Sequence, residues 1–281
     1  MKKTVIHIGV AVLFLAGFAL LAYPFVANEW NSYRQKQLMK EYKAQVGALE
    51  EEEAVDYAAE RARAQAYNEA LLPSVLPDSF AVAAAEKEPD PEYMACLDLA
   101  GDGIMGSVEI PRIGIRLPVF HTTAEEILEQ GAGHLEGSSL PVGGEGTHAV
   151  ISAHRGLPSA ALFTDLDKLE EGDHFLLHVL DETLCYEVDR ILVVEPEETD
   201  GLAVEEGKDL VTLLTCTPYG VNTQRLLVRG HRVPYDPEEV GQEAPGLLGG
   251  SLHTNYLFWL VLGLAVTAAL IFWLYRRERK R

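Results

Sequence analysis

Residues 209–232 read DLVTLLTCTPYGVNTQRLLVRGHR, two apolar stretches separated by a turn-rich break. Taken as a strand, the first sets Leu210, Thr212, Leu214 and Cys216 on one face. Pro218, which has no N–H for a ladder, stops it just past the cysteine. The second stretch opens at Arg225, which shares a face with Leu227. A hairpin joining them brings Arg225 opposite Cys216. A guanidinium beside a thiol stabilises negative charge on sulfur or on an oxyanion developing nearby. Most cysteines in apolar strands are inert packing, and Cys185 in TLCYEVD fits that description better than Cys216 does.

Outward from this hairpin the period of two persists. Ile113, Ile115, Leu117 and Val119 alternate with Gly114, Arg116 and Pro118, as in a half-buried strand. Short apolar stretches recur at 148–153, 174–180 and 184–194, with Gly, Pro, Asp and Glu between them. Short helices are expected at 124–130 and 158–168. So many short strands with few helices predict a mainly β fold, a closed barrel over 97–235. Upstream, residues 28–72 place Leu38, Tyr42, Val46 and Leu49 at helical spacing, which predicts one or two amphipathic helices. Between helices and barrel, residues 73–96 carry Pro73, Pro77, Pro89 and Pro91 and hold no sustained period. A loop of that length is functional or disordered.

Both ends of the chain are apolar. Residues 4–26 hold no charged side chain except His7 and follow Lys2 and Lys3; residues 256–275 are uncharged and precede RRERKR. Each matches the length of about 20 residues that spans a hydrocarbon core as a helix. The basic flanks predict spans at 1–27 and 256–275, a basic cytoplasmic tail at 276–281 and a flexible linker at 236–255. Both termini would then be cytoplasmic and the barrel extracellular. A cleaved signal peptide is the other reading of the first run. Of 23 basic and 43 acidic residues, seven and one lie outside 27–255, leaving that middle segment at −26. Such a balance argues against nucleic acid and anionic headgroups as partners and favours amine-bearing ones. Three cysteines in an oxidising compartment leave at least one unpaired. With no CxxC and no His/Cys cluster at ligand spacing, neither metal nor cofactor is expected.

Of nine histidines, His134, His148, His154 and His231 fall near strand ends, and spacing alone does not choose among them. His154 closes the apolar run HAVISA and opens HRGLP, an edge position suited to catalysis.

The strings TLLTCTPYGVNTQRLLVRGHR, AVISAHRGLPSAALFTDLDKL, GHLEGSSLPVGGEGTHAV and MGSVEIPRIGIRLPVFH, together and in their order, resemble the sortase family. Together with two spans the pattern is similar to class C, the pilus-assembling sortases. The resemblance implies a sortase-type barrel and a cysteine transpeptidase. Cys216 would attack an LPxTG-like sorting signal, His154 exchange the proton and Arg225 steady the oxyanion. A pilin lysine would resolve the thioester. Substrates would be pilin or surface-protein precursors, at the membrane of a Gram-positive-type bacterium. A housekeeping sortase that anchors surface proteins to cell-wall peptide and a non-catalytic tethered binding module are the alternatives. No acidic third member of a triad is evident in the sequence. Class C sortases also resemble one another in a lid with an Asp-Pro-aromatic motif over the site. Here Asp90 and Pro91 match, Glu92 holds the aromatic position, and Tyr93 comes one later. Asp90, Pro91 and Tyr93 are thus expected over Cys216, with Asp90 able to pair with Arg225.

Overall fold

The computed structural model describes residues 2–51, 55–71, 76–83 and 88–242, with the single residues 263, 267 and 276. Eight strands close into a barrel: β1 (Ile104–Ile110), β2 (Ile115–His121), β3 (Ala132–His134), β4 (Thr147–Ser152), β5 (His174–Val179), β6 (Glu182–Val194), β7 (Asp209–Thr217) and β8 (Gln224–Val233). Their order around the wall is β1-β2-β3-β4-β7-β8-β6-β5. The pairs β2/β3 and β4/β7 are parallel and the others antiparallel. The expected mainly β closed barrel is therefore present. Closure leaves no edge strand exposed for stray pairing.

Alternation sorts the side chains of β7. Val211 and Leu213 point into the barrel with Ile151, Phe163, Phe175 and Val228. Leu214 faces outward, into a second cluster with Leu76, Leu135, Val150, Leu202 and Leu227. Both faces of the strand are thus covered, which is why DLVTLLTC is nearly continuously apolar. The expected single strand through Ile113 begins instead at Ile115. Pro111 opens a 3-10 turn over Pro111–Ile113, and Gly114, at φ +65°, ends it. That left-handed conformation suits glycine. The expected helices shrink to α5 (Glu125–Leu128) and, in 158–168, to one 3-10 turn over Leu166–Lys168.

Before the barrel come α1 (Lys2–Glu51), α2 (Tyr57–Ala70), α3 (Ser79–Ala83) and α4 (Pro91–Ala95). Tyr42 and Val46 of α1 pack on Ile104 and Phe120, as the helical spacing requires. Further along α1 towards its start, side chains pin it to loops of the barrel. Asn31 donates to the Ser159 carbonyl at 2.8 Å, and Asn28 accepts from the Ala161 N–H at 2.7 Å. Asp56 caps α2 by accepting from Ala59 N–H at 3.0 Å. Asn68 grips Leu140 through both its N–H and its carbonyl, at 2.7 and 3.1 Å.

The expected boundary at 27/28 is not a structural one, because α1 runs unbroken from the apolar run into its polar half. Among the described residues no helix is long and apolar enough to cross a membrane. The side chains of residues 4–8, 10, 11 and 14 fall outside the description. So do the linker from residue 243 and nearly all of the expected span at 256–275. The described residues therefore establish the barrel with its preceding helices.

Candidate active site

Cys216 stands one residue before the end of β7, directly opposite Arg225 of β8. The hairpin register expected from the sequence is the one found. On the other side, β4 runs parallel to β7 from Thr147↔Asp209 to Ser152↔Leu214. The ladder continues as Ala153 N–H donates to the Leu214 carbonyl at 3.2 Å and Thr215 Oγ1 to the Ala153 carbonyl at 2.7 Å. His154 follows Ala153 out of this end of the ribbon, and its ring lies 5.4 Å from that of Phe80, which also faces Arg225. Cys216 and Arg225 thus pair across one hairpin, and His154, sixty-two residues upstream of Cys216, leaves the neighbouring strand at the same end.

A segment outside the barrel covers them. Asp78 accepts two parallel hydrogen bonds from Arg225, Nε to Oδ1 at 2.7 Å and Nη2 to Oδ2 at 2.8 Å. Arg225 Nη1 donates to the backbone carbonyls of Asn222 and Gln224. The guanidinium carbon lies 5.2 Å from the Phe80 ring centre, and the same ring sits 5.4 Å from the His154 imidazole. Between them, Ser79 Oγ accepts from Ser152 Oγ at 2.8 Å and its carbonyl accepts from Thr123 Oγ1 at 2.9 Å. Leu76, Phe80 and Val82 fill the apolar cluster on the outer face of β7. The segment 76–82 is therefore a lid anchored by a bidentate ion pair, a ring wedge and two hydroxyl contacts.

This corrects the expected lid residues. Asp90 does not reach Arg225: its carboxylate accepts from Glu92 N–H at 2.9 Å and caps α4, with Pro91 in the first helical turn. An Asp-Pro pair is a strong helix start, and that local use takes both side chains. Tyr93 is fully buried away from the lid contacts, its hydroxyl 3.0 Å from His134 Nδ1, donating to the His134 carbonyl and accepting from Thr122 N–H. The pattern that counts is an Asp two residues before an aromatic. It occurs at Asp78-Ser79-Phe80, where Ser79 stands in place of proline. Pro77 and the apolar Leu76 just before it were the available signal.

The electrostatics describe a resting thiol. Burial pushes Cys216 up to about 11 from an ordinary value of 9.0. Arg225 opposes the rise, and the carboxylates of Asp78 and Glu125 add to it. Arg225 is held above its usual range, first by the hydrogen bonds it donates to Asp78. Cys185 is buried in the barrel wall with Leu176 and Val240, and Cys96 ends α4. The competing histidines are structural. Burial drives His134 down to about 4, with Nε2 against the Ser139 carbonyl at 2.8 Å. His148 is also lowered by burial and lies between the Ala203 carbonyl and Thr212 Oγ1, each at 2.8 Å. Sequence reading missed one member of the site. Glu125, at the start of α5, places Oε1 3.1 Å from His154 Nε2. Nothing in TTAEEILEQ marks that glutamate over Glu126; only the fold aims it.

A model of the sortase domain matches residues 108–233. Sortase C-1 from Actinomyces oris is 46% identical over 63% of this chain and 98% of its own, with a TM-score of 0.60. The sortase C structure of Streptococcus pneumoniae, whose description speaks of pilin substrate specificity, is 44% identical over 71% and 97%, also at 0.60. Sortase A of Bacillus anthracis is 28% identical over 154 residues, 55% of this chain and 71% of that protein. With nearly the whole length of class C structures matched at this identity, the chain belongs to the sortase family of cysteine transpeptidases, with class C sortases as its structural neighbours.

Proposed function

We propose that this sortase joins pilin subunits, using Cys216 as nucleophile, His154 as proton-exchanging group and Arg225 as oxyanion donor. What supports it is the ribbon end at which Cys216 pairs with Arg225 and His154 leaves β4, under a segment whose Asp78 and Phe80 contact Arg225 and His154. The Cys216 thiol passes its proton to His154, and the sulfur attacks the threonine carbonyl carbon of an LPxTG-like signal. Arg225, freed from Asp78, donates to the oxygen as it gains charge. The Thr–Gly C–N bond breaks, and the glycine amine leaves with a proton from His154. The thioester is then attacked by a pilin lysine amine, which gives its proton to His154 while sulfur leaves as thiolate. A covalent intermediate lets the amine compete with water. The apolar runs 4–26 and 256–275 suit two membrane anchors that hold the barrel on the outer face beside substrates still tethered there.

The test is incubation of the full chain in detergent with a peptide containing Leu-Pro-x-Thr-Gly, with and without a lysine amide. A thioester adduct on Cys216 and a lysine-linked product are expected. No adduct on Cys216, or an adduct on Cys185, would overturn the assignment.

A further inference from the structure

The geometry points to Glu125 as the residue that positions His154, fixing its Nε2–H tautomer and leaving Nδ1 as the nitrogen that exchanges protons. This rests on the reading of His154 proposed above. A carboxylate oxygen has no proton to give, so at 3.1 Å it pairs with a protonated Nε2. The second ring nitrogen then carries the lone pair. This is the job an orienting acid performs for a catalytic imidazole: it selects the tautomer, holds the ring and stabilises the charged form.

Two features make the contact more than a chance surface pair. His154 has two neighbours that fix its ring: Phe80, which is on the lid, and Glu125, which is on the barrel. When substrate displaces the lid the first is lost, and Glu125 alone keeps the ring in place. The backbone of the glutamate is itself held, because α5 is a single turn whose Leu128 and Glu129 N–H groups bond the Ala124 and Glu125 carbonyls. Leu128, one turn on, is fully buried and Gly133 packs against it, so α5 cannot drift from β3. The arrangement also accounts for a missing acid in the sequence. The orienting group comes from the β2–β3 connection and is presented to a histidine on the far side of β3.

Glu125 is more than half exposed, so solvent screens its charge. Its removal should therefore cost far less than removal of a buried triad acid, about tenfold in kcat rather than ten-thousandfold. The experiment uses the full chain in detergent, an LPxTG peptide and a lysine amide, with 15N-labelled histidine to read the tautomer. The His154 resonances are identified by their loss in His154→Gln. Glu125→Ala should lower kcat about tenfold with KM within about twofold. It should also shift neutral His154 away from the Nε2–H form. Glu125→Gln, whose amide carbonyl still accepts from Nε2–H, should restore the tautomer and most of kcat. Wild-type kcat in Glu125→Ala, a fall in kcat with the tautomer unchanged, or an effect on KM alone would each overturn the positioning role. If His154→Gln itself stays active, the base assignment fails instead, so the two failures are told apart.

Discussion

Arg225 and Asp78, 147 positions apart in the chain, meet through two parallel hydrogen bonds, Nε to Oδ1 and Nη2 to Oδ2. Both side chains are nearly buried, at 11% and 7% exposure. The pair therefore uses the fork that would serve an oxyanion to hold the lid instead. In the mechanism proposed above, the closed lid and the oxyanion donor are alternative uses of one guanidinium.

Asp78→Ala should open the lid. A bidentate charge-assisted pair is among the stronger single contacts, and its loss should speed alkylation of Cys216 by a small thiol reagent about tenfold or more. Asp90→Ala should leave that rate unchanged. It should lower thermal stability through the lost helix cap, by about 0.5–2 kcal/mol. Equal rates in wild type and Asp78→Ala would show that another contact governs access.

Tyr93 is core, not cover. Tyr93→Phe strips a buried hydroxyl from His134 and Thr122 and should cost about 1–3 kcal/mol in denaturant unfolding. Labelling of Cys216 should not change. Faster labelling without lost stability would restore Tyr93 to the lid.

Alkylation should depend on pH with a defined sign. The covered thiol sits near 11, raised chiefly by burial and further by Asp78 and Glu125. A raised thiol means that lid closure favours the neutral form, so closure weakens as pH climbs from 9 through 11. The labelling midpoint should lie near 11 in wild type and lower in Asp78→Ala, where solvent returns and one carboxylate leaves. The same midpoint in both proteins would contradict this account.

Arg225→Lys keeps the charge and loses the fork. Peptide cleavage should fall by about 10²–10³-fold, as when an oxyanion donor is removed. Labelling of the thiol should rise at the same time, because a single ammonium cannot reproduce both bonds to Asp78. Rates of cleavage close to wild type would remove Arg225 from the oxyanion role.

What could be read from sequence follows the reach of local pattern. The register that opposes Cys216 and Arg225 is written in two short strands and their turn, and TLLTC followed nine residues later by arginine is enough. The lid was misplaced because Asp90-Pro91 satisfies the motif more literally than Asp78-Ser79-Phe80. A sequence cannot show that the Asp-Pro pair is already engaged as a helix start. Tyr93 was expected over Cys216, yet two histidines brought by β2 and β3 pack against it in the core. Glu125 was invisible for the opposite reason: its environment is built wholly by the wall between β2 and β4.

The parallel pairing of β4 with β7 divides the chain into fixed and replaceable parts. From Ala153 to Lys208 the polypeptide leaves the site, builds the β5–β6 hairpin and returns to the adjacent rung. Six rungs from Thr147↔Asp209 to Ser152↔Leu214 hold together the strands from which His154 and Cys216 project. The excursion is itself part of the wall, since β6 pairs with β8 as far as Val194↔Arg225 and the Phe163 N–H bonds the His154 carbonyl. Between β6 and β7 the largely exposed residues 195–198 precede the part of the loop that is tied down by Leu202, Ala203 and Lys208, so variation in recognition is best tolerated there.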